Sequence, residues 1–210
     1  MLADQLGTFS INSLVSLQEK RAFWINLYNA LVIDAVIQEN IRDSVTESWL
    51  GVLSFFQKAT YWVNGSRFSL SDIEHGVLRG NRGFPYFPGS HFEDSDPRLL
   101  TVIEPIDPRI HFALNCASNS CPPINFYTQG DLDNQLDMAA RNFINQDLHL
   151  KKDQMKISIS KIFYWYKIDF GGLDGIVPFL EQYHETLSLA NGSKITGSQF
   201  DWISIPTTGV

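Results

Sequence analysis

The chain has 210 residues, 44% hydrophobic and 19% charged, which supplies one sizeable core and too little charge for a disordered polymer. Its formal net charge of -7 repels nucleic-acid phosphates and anionic lipid head groups, and Lys151-Lys152 is the only adjacent pair of lysines, so no basic patch offsets that field. No apolar run reaches the roughly 18 residues of a membrane span. The longest candidate, Ala22 to Ile37, is broken by Asn26, Asn29 and Asp34. Met1 to Gln5 lack the basic start and apolar run of a signal peptide. The expectation is a soluble, cytoplasmic chain with no nucleic-acid partner and no membrane insertion, the export of a longer native chain and the oligomeric state staying open.

Residues 1–210 are expected to form a single α+β domain, helices packed on a mostly antiparallel sheet. Leu17 to Ile37 fills nearly every helical turn with apolar residues and contains no Gly or Pro, which describes a helix buried on most sides. Asn26 and Asn29, three apart, project from one face of it and must find partners. A shorter helix is expected over Trp49 to Phe56. Tyr61-Trp62-Val63 and Arg67 to Leu70 flank Asn64-Gly65, a pair suited to a two-residue hairpin turn. Ser71 or the residue before it can cap a helix over Asp72 to Arg79, stopped by Gly80, which places His75 on a short helix.

Asn81 to Pro108, rich in Gly, Pro, Asp and aromatic residues, predicts a long ordered loop. Arg109 to Asn115 has the composition of a buried strand, running into the turn Ala117 to Ser120 ahead of Cys121-Pro122-Pro123. Leu132 to Phe143 carries a helical stripe, and Leu148 to Ile159 predicts a hairpin turned at Lys152-Asp153. A helix over Ile176 to Leu189 and a terminal strand complete the chain.

The chemistry-bearing residues concentrate in two places. Cys116 and Cys121, the only cysteines, fall within one hexapeptide, and packed inert thiols, a disulfide and a reactive thiol all remain open for them. A reactive thiol needs a neighbour that lowers its pKa, usually a histidine oriented by a carboxylate or amide. Residues 111 and 116, five apart in an extended segment, would point to opposite faces, which disfavours His111 and favours His75. Asn29 offers an amide. His91, in the loop, and His149 and His184 are assigned nothing. Two cysteines spaced Cys-x4-Cys without a second ligand pair are not a zinc pattern, and phosphate-binding glycine motifs and a serine-nucleophile elbow are missing. No metal and no cofactor is expected.

Three ordered segments are similar to a known family: Phe23 to Ala30, Phe68 to Arg79, and His111 to Ser118 continuing through Cys121-Pro122-Pro123. They resemble the domain of unknown function 547 family, found in bacteria, including cyanobacteria, and in plants, where it often follows a leucine-zipper segment. The resemblance covers roughly residues 17 to 145. It implies a papain-like or transglutaminase-like cysteine-enzyme architecture, with a Glu, His and Cys set falling on Glu74, His75 and Cys116. Cys121 matches a family cysteine as well, so the choice of nucleophile stays open. Adjacent residues on an α-helix diverge by about 100°, so Glu74 is poorly placed to orient the ring of His75, and Asn29 or Asp72 is an alternative.

Two functional readings follow. In one, the chain is a cysteine-dependent hydrolase or acyl-transfer enzyme: Cys116 attacks a carbonyl, His75 accepts and returns the proton, and Asn29 or Asn26 positions the ring or the oxyanion. Its substrate would be a peptide-like strand or small amide, admitted past the aromatic loop Phe84 to Phe92. In the other, the same fold binds a peptide, sugar or protein partner without turnover. A purely structural role for Asn26, Asn29 and His75 as a buried hydrogen-bond network is the third possibility.

Overall fold

The structure, a computed structural model, describes residues 2–40, 49–85, 87, 89–115, 123–151, 156–185 and 203–206. It is of the α+β class, and its chain divides into two compact units, Met1–Asp133 and Asn134–Val210.

In the first unit α1 (Leu2–Thr8) and a 3-10 turn, Ile11–Ser13, lead to α2 (Leu17–Gln38). A capping box starts α2: Glu19 N donates to Ser16 Oγ at 3.0 Å while Ser16 N donates to the Glu19 carboxylate at 3.0 Å. Trp24, Ile25, Leu27, Tyr28, Leu31, Val32 and Ala35 are all buried, so α2 is packed on most of its circumference, as its composition predicts. The two amides on it each form a double hydrogen bond with backbone. Asn26 donates to Tyr127 O at 2.7 Å and accepts from Tyr127 N at 2.8 Å. Asn29 donates to Ala113 O at 2.9 Å and accepts from Asn115 N at 2.9 Å.

Next come α3 (Trp49–Lys58) and the antiparallel hairpin β1 (Thr60–Val63) and β2 (Ser66–Ser69). The turn between them has φ of 50° at Asn64 and 73° at Gly65, the left-handed pair that this dipeptide tolerates. Its amides also finish α1, since Asn64 N and Gly65 N donate to Leu6 O and Gly7 O at 3.1 and 2.9 Å.

The helix after β2 is capped two residues earlier than Ser71, at Ser69. Asp72 N donates to Ser69 Oγ at 3.0 Å and Ser69 N donates to the Asp72 carboxylate at 2.7 Å, a reciprocal cap spaced Ser-x-x-Asp. Ser71 is instead buried inside the helix, and its Oγ has no hydrogen-bond partner. The element is a π-helix, Asp72–Leu78, with five-residue bonds from Arg79 N to Glu74 O and from Asn81 N to Gly76 O, both 2.9 Å.

The described residues between 81 and 108 are largely irregular, as expected, with a bridge between Arg82 and Ser90 and a 3-10 turn at Pro97–Thr101. The expected strand over Arg109 to Asn115 is not formed: Pro108–Phe112 is a second 3-10 turn. The reason is local. Asp107 accepts from Arg109 N at 3.1 Å while Pro108 presets the helical φ, which starts a tight turn before any ladder partner is met. Asp96-Pro97-Arg98 does the same, with Arg98 N 2.8 Å from Asp96 Oδ1. Both arginines also bind the capping carboxylate with two nitrogens, Nη2 lying 2.7 Å from Asp96 and 2.6 Å from Asp107. With residue 111 in a turn, the extended-segment geometry that set His111 against residue 116 loses its premise.

The second unit holds nearly all of α4 (Leu132–Asp147), then β3 (His149–Lys151), β4 (Lys156–Ile159), α5 (Ile162–Trp165), α6 (Leu173–Tyr183) and β5 (Ile203–Pro206). β3, β4 and β5 form an antiparallel sheet in that order. The expected turn at Lys152-Asp153 and the helical residues to Leu189 lie outside the described residues. Phe163, Phe170, Phe179 and Tyr183 pack as a chain of rings with neighbouring centroids 5.1, 4.9 and 4.8 Å apart. No described helix in either unit is long and apolar enough to cross a membrane.

Removing one amide of α2 orphans two backbone groups at once. Asn26→Ala is expected to lower the unfolding free energy by about 1–3 kcal/mol, read as a lower urea midpoint. Ser71→Ala removes a hydroxyl with no partner, and its midpoint is expected to equal or exceed that of the wild type in the same assay.

Candidate functional site

The π-helix carries Glu74 and His75, two of the polar residues that the sequence singles out. π-Helices are uncommon, occur mostly as a single widened turn, and are frequent at functional positions. His75 lies on it, 3% exposed, with Val77 and Leu78 buried beside it. Its ring is 4.3 Å, centroid to centroid, from Phe84 and 5.9 Å from His91. The loop reaches the helix at Gly76, where an added Cβ would lie 2.2 Å from Phe92 Cζ, so the Phe92 ring occupies the space of a side chain. Asn81 holds that contact, accepting from Phe92 N at 2.6 Å and donating to Phe92 O at 3.2 Å.

Two charged groups flank the His75 ring. Arg79 Nη1 lies 2.9 Å from His75 Nδ1 and donates to Gly83 O at 2.9 Å. Glu74 Oε1 is 3.9 Å from the same Nδ1, beyond hydrogen-bond length, and Tyr28 OH donates to Glu74 Oε2 at 3.2 Å. Burial is the main influence on the imidazole and pushes its pKa down to about 4. Glu74 opposes that shift, while Arg79, His91 and His111 add to it. His75 is therefore neutral at physiological pH.

Asp72 belongs to a neighbouring network instead of orienting His75. Its carboxylate is 2.8 Å from His91 Nε2 and 3.0 Å from Arg98 Nη1. Burial pulls its pKa up, but the bonds from His91 and Ser69 and the Arg98 charge outweigh burial and hold it below the usual carboxylate value. The Arg98 guanidinium also lies over the Phe92 ring, 4.4 Å from its centroid.

Of the expected site residues, Glu74 and His75 share this cluster. Asn29 is bonded to the backbone on either side of Leu114, and so braces the segment that ends one residue before Cys116. Cys116 and Cys121 lie outside the described residues. His111 is buried and lies within electrostatic range of His75. Sequence reading missed Arg79, which it treated as the last residue of the helix; the His75-to-Arg79 spacing of four was the available signal. It also missed Tyr28, one residue before Asn29.

Among the described residues no group of three or more His, Cys, Asp and Glu side chains is arranged to hold a metal ion. A small surface groove is lined by Ile11, Asn64, Phe68, Arg98 and Leu100, among others, and includes none of Glu74, His75, Arg79 or His111.

Burying a neutral imidazole has a pH signature. Between the ordinary value of 6.5 and the folded value of about 4, the unfolded chain binds a proton at residue 75 and the folded chain does not. Stability is therefore full above the first value and falls as the pH drops towards the second, by on the order of 3 kcal/mol at His75. In urea titrations at pH steps across that window, His75→Gln is expected to show a shallower fall than the wild type, with one proton fewer taken up on unfolding.

The family model described as "Protein of unknown function, DUF547" matches residues 12–144. No curated protein and no solved structure matches the chain. The matched range takes in α2 with both amides, the hairpin, the π-helix and the segment braced by Asn29, and the chain belongs to the DUF547 family of proteins of unknown function.

Proposed function

We propose that the chain is a cysteine-dependent hydrolase or acyl-transfer enzyme, with Cys116 as nucleophile, Cys121 as the other candidate, and His75 as the imidazole of the site. The observation that carries this reading is the pairing of a buried, neutral His75 with a rigidly braced chain segment. Residues 113–115 are fixed to α2 by Asn29, His111 lies within electrostatic range of His75, and Cys116 is the next residue. A thiol on such a segment gains from preorganisation, because a nucleophile held near its partner reacts as part of one unit.

In the proposed step the sulfur bonds to the carbonyl carbon of the substrate. The bond to the leaving group breaks with its electron pair on that group, and the thiol proton ends on it. Water or another acceptor then displaces the sulfur and releases the acyl group. The substrate class is a peptide-like or small acyl compound, and the exposed ring of Phe87 in the aromatic loop offers an apolar contact for it. A papain-like or transglutaminase-like architecture is part of the same proposal and rests on the family resemblance of Glu74, His75 and Cys116.

Thiol reactivity tests the reading. Alkylation by iodoacetamide, followed by peptide mass spectrometry at a series of pH values, is expected to show one of Cys116 and Cys121 reacting with an apparent pKa well below the ordinary value of about 8.5. That advantage is expected to vanish in His75→Ala. Two inert thiols, or two that behave like model thiols with and without His75, would leave a binding module for a peptide or protein partner as the function.

A further inference from the structure

Among the described residues, a cation is in close polar contact with His75. Arg79 is 3% exposed, and one of its terminal nitrogens serves both His75 Nδ1 and Gly83 O at 2.9 Å. A guanidinium has only donors and keeps its proton in proteins. Nδ1 must therefore accept, and the neutral ring must carry its one proton on Nε2. We propose, resting on the reading of the His75 cluster as a cysteine-dependent site, that Arg79 is its positioning residue. By donating to Nδ1 it fixes His75 as the Nε2–H tautomer, so that the ring offers a hydrogen-bond donor to the reacting centre in place of the expected base.

The polarity of the contact carries the inference. A histidine that serves as base keeps its reacting nitrogen unprotonated because the other one donates to a carboxylate or amide. At His75 that second position is taken by a donor, and the Glu74 carboxylate stands 3.9 Å away with Tyr28 bonded to it. The other titratable groups facing the ring are His91 from the loop and His111 from the 3-10 turn, and a proton on either would oppose an imidazolium at His75. A donor N–H next to a permanent cation suits an anion, which in this chemistry is the thiolate or the oxyanion formed when it attacks.

The loop is shaped to hold Arg79 in place. The carbonyl that accepts from it belongs to Gly83, where a Cβ would come within 2.7 Å of Phe87 O, and Gly83 N donates to Gly89 O at 2.8 Å. The backbone of Arg79 is fixed as well, through its bond to Glu74 O.

The tautomer can be read directly. Long-range proton–nitrogen NMR on histidine-labelled protein, with His75→Gln for assignment, is expected to show Nε2 protonated and Nδ1 unprotonated across the neutral range. Arg79→Lys, which keeps a donor, is expected to preserve that pattern. Arg79→Met is expected to move the proton partly or wholly to Nδ1 and to raise the pKa of the ring towards its ordinary value. A wild-type ring protonated on Nδ1 or on both nitrogens overturns the proposal even where Arg79→Met fails to fold, as does an Arg79→Met ring unchanged from wild type. Cysteine alkylation separates this outcome from that of the underlying reading. The expected tautomer with two inert thiols removes the cysteine chemistry and leaves His75 a donor, while a reactive thiol beside an Nδ1-protonated ring removes the role of Arg79 alone.

Discussion

Two asparagine side chains on one helix organise the first unit. An asparagine amide has the same donor and acceptor as a peptide group, so Asn26 and Asn29 each pair with a stretch of chain as a neighbouring strand would, without requiring that stretch to be a strand. The pairing solves a burial problem in both directions. An amide on a helix packed on most sides needs partners, and irregular backbone needs partners when it is drawn into the core. Each bond pair joins residues at least 84 positions apart, so α2 fixes chain that local propensity alone would leave undetermined.

The π-helix depends on that frame. Widening one turn by a residue costs hydrogen-bond quality and leaves space near the axis, and such an element persists only where its surroundings fill it. Here the filling comes from the loop: the Phe92 ring sits against Gly76, and Asn81 clamps the Phe92 backbone. The reciprocal cap of Ser69 and Asp72 fixes the start of the helix, and the free face of the Asp72 carboxylate reaches His91 and Arg98. One carboxylate thus caps the helix, anchors the loop and neutralises part of the arginine charge. Loop and helix are one structural unit, and His75 sits in the middle of it.

Much of this was legible from residue order. The buried helix, the Asn-Gly hairpin and the helical stripe after Leu132 follow from periodicity and turn chemistry, because each is decided by neighbours close in sequence. Arg109 to Asn115 fails as a strand for an equally local reason that apolar content hides. Asp107-Pro108 starts a 3-10 turn, and the same Asp-Pro-Arg triplet at residue 96 does so again, a repeat that composition could have disclosed. What residue order does not carry is the widened turn at Asp72, since a π-helix and an α-helix share the same capping residues and apolar spacing. Arg79 was missed with it, because the group it touches is decided by the register of that turn and by the loop folded against it.

The electrostatics of the site follow from which groups can change charge and which cannot. Arg79 and Arg98 are permanent cations, Asp72 is held ionised by its partners, and His75 is held neutral by burial. Near neutral pH the charges of Arg79, Arg98 and Asp72 therefore stay fixed, with the His75 imidazole contributing direction and no charge. A cysteine site on the usual plan draws its thiolate from an imidazolium formed beside it, and so its activity depends on a titration. On the proposed cysteine chemistry, a buried arginine bonded to the histidine would supply the positive charge from a group that does not titrate, and the protons of the reaction would be carried by the thiol and the leaving group. Such a site favours acyl groups whose leaving group departs as a stable anion over amides, whose nitrogen must be protonated as it leaves. On that proposed chemistry, thioesters therefore fit His75 and Arg79 better than a peptide bond or an alkyl ester does.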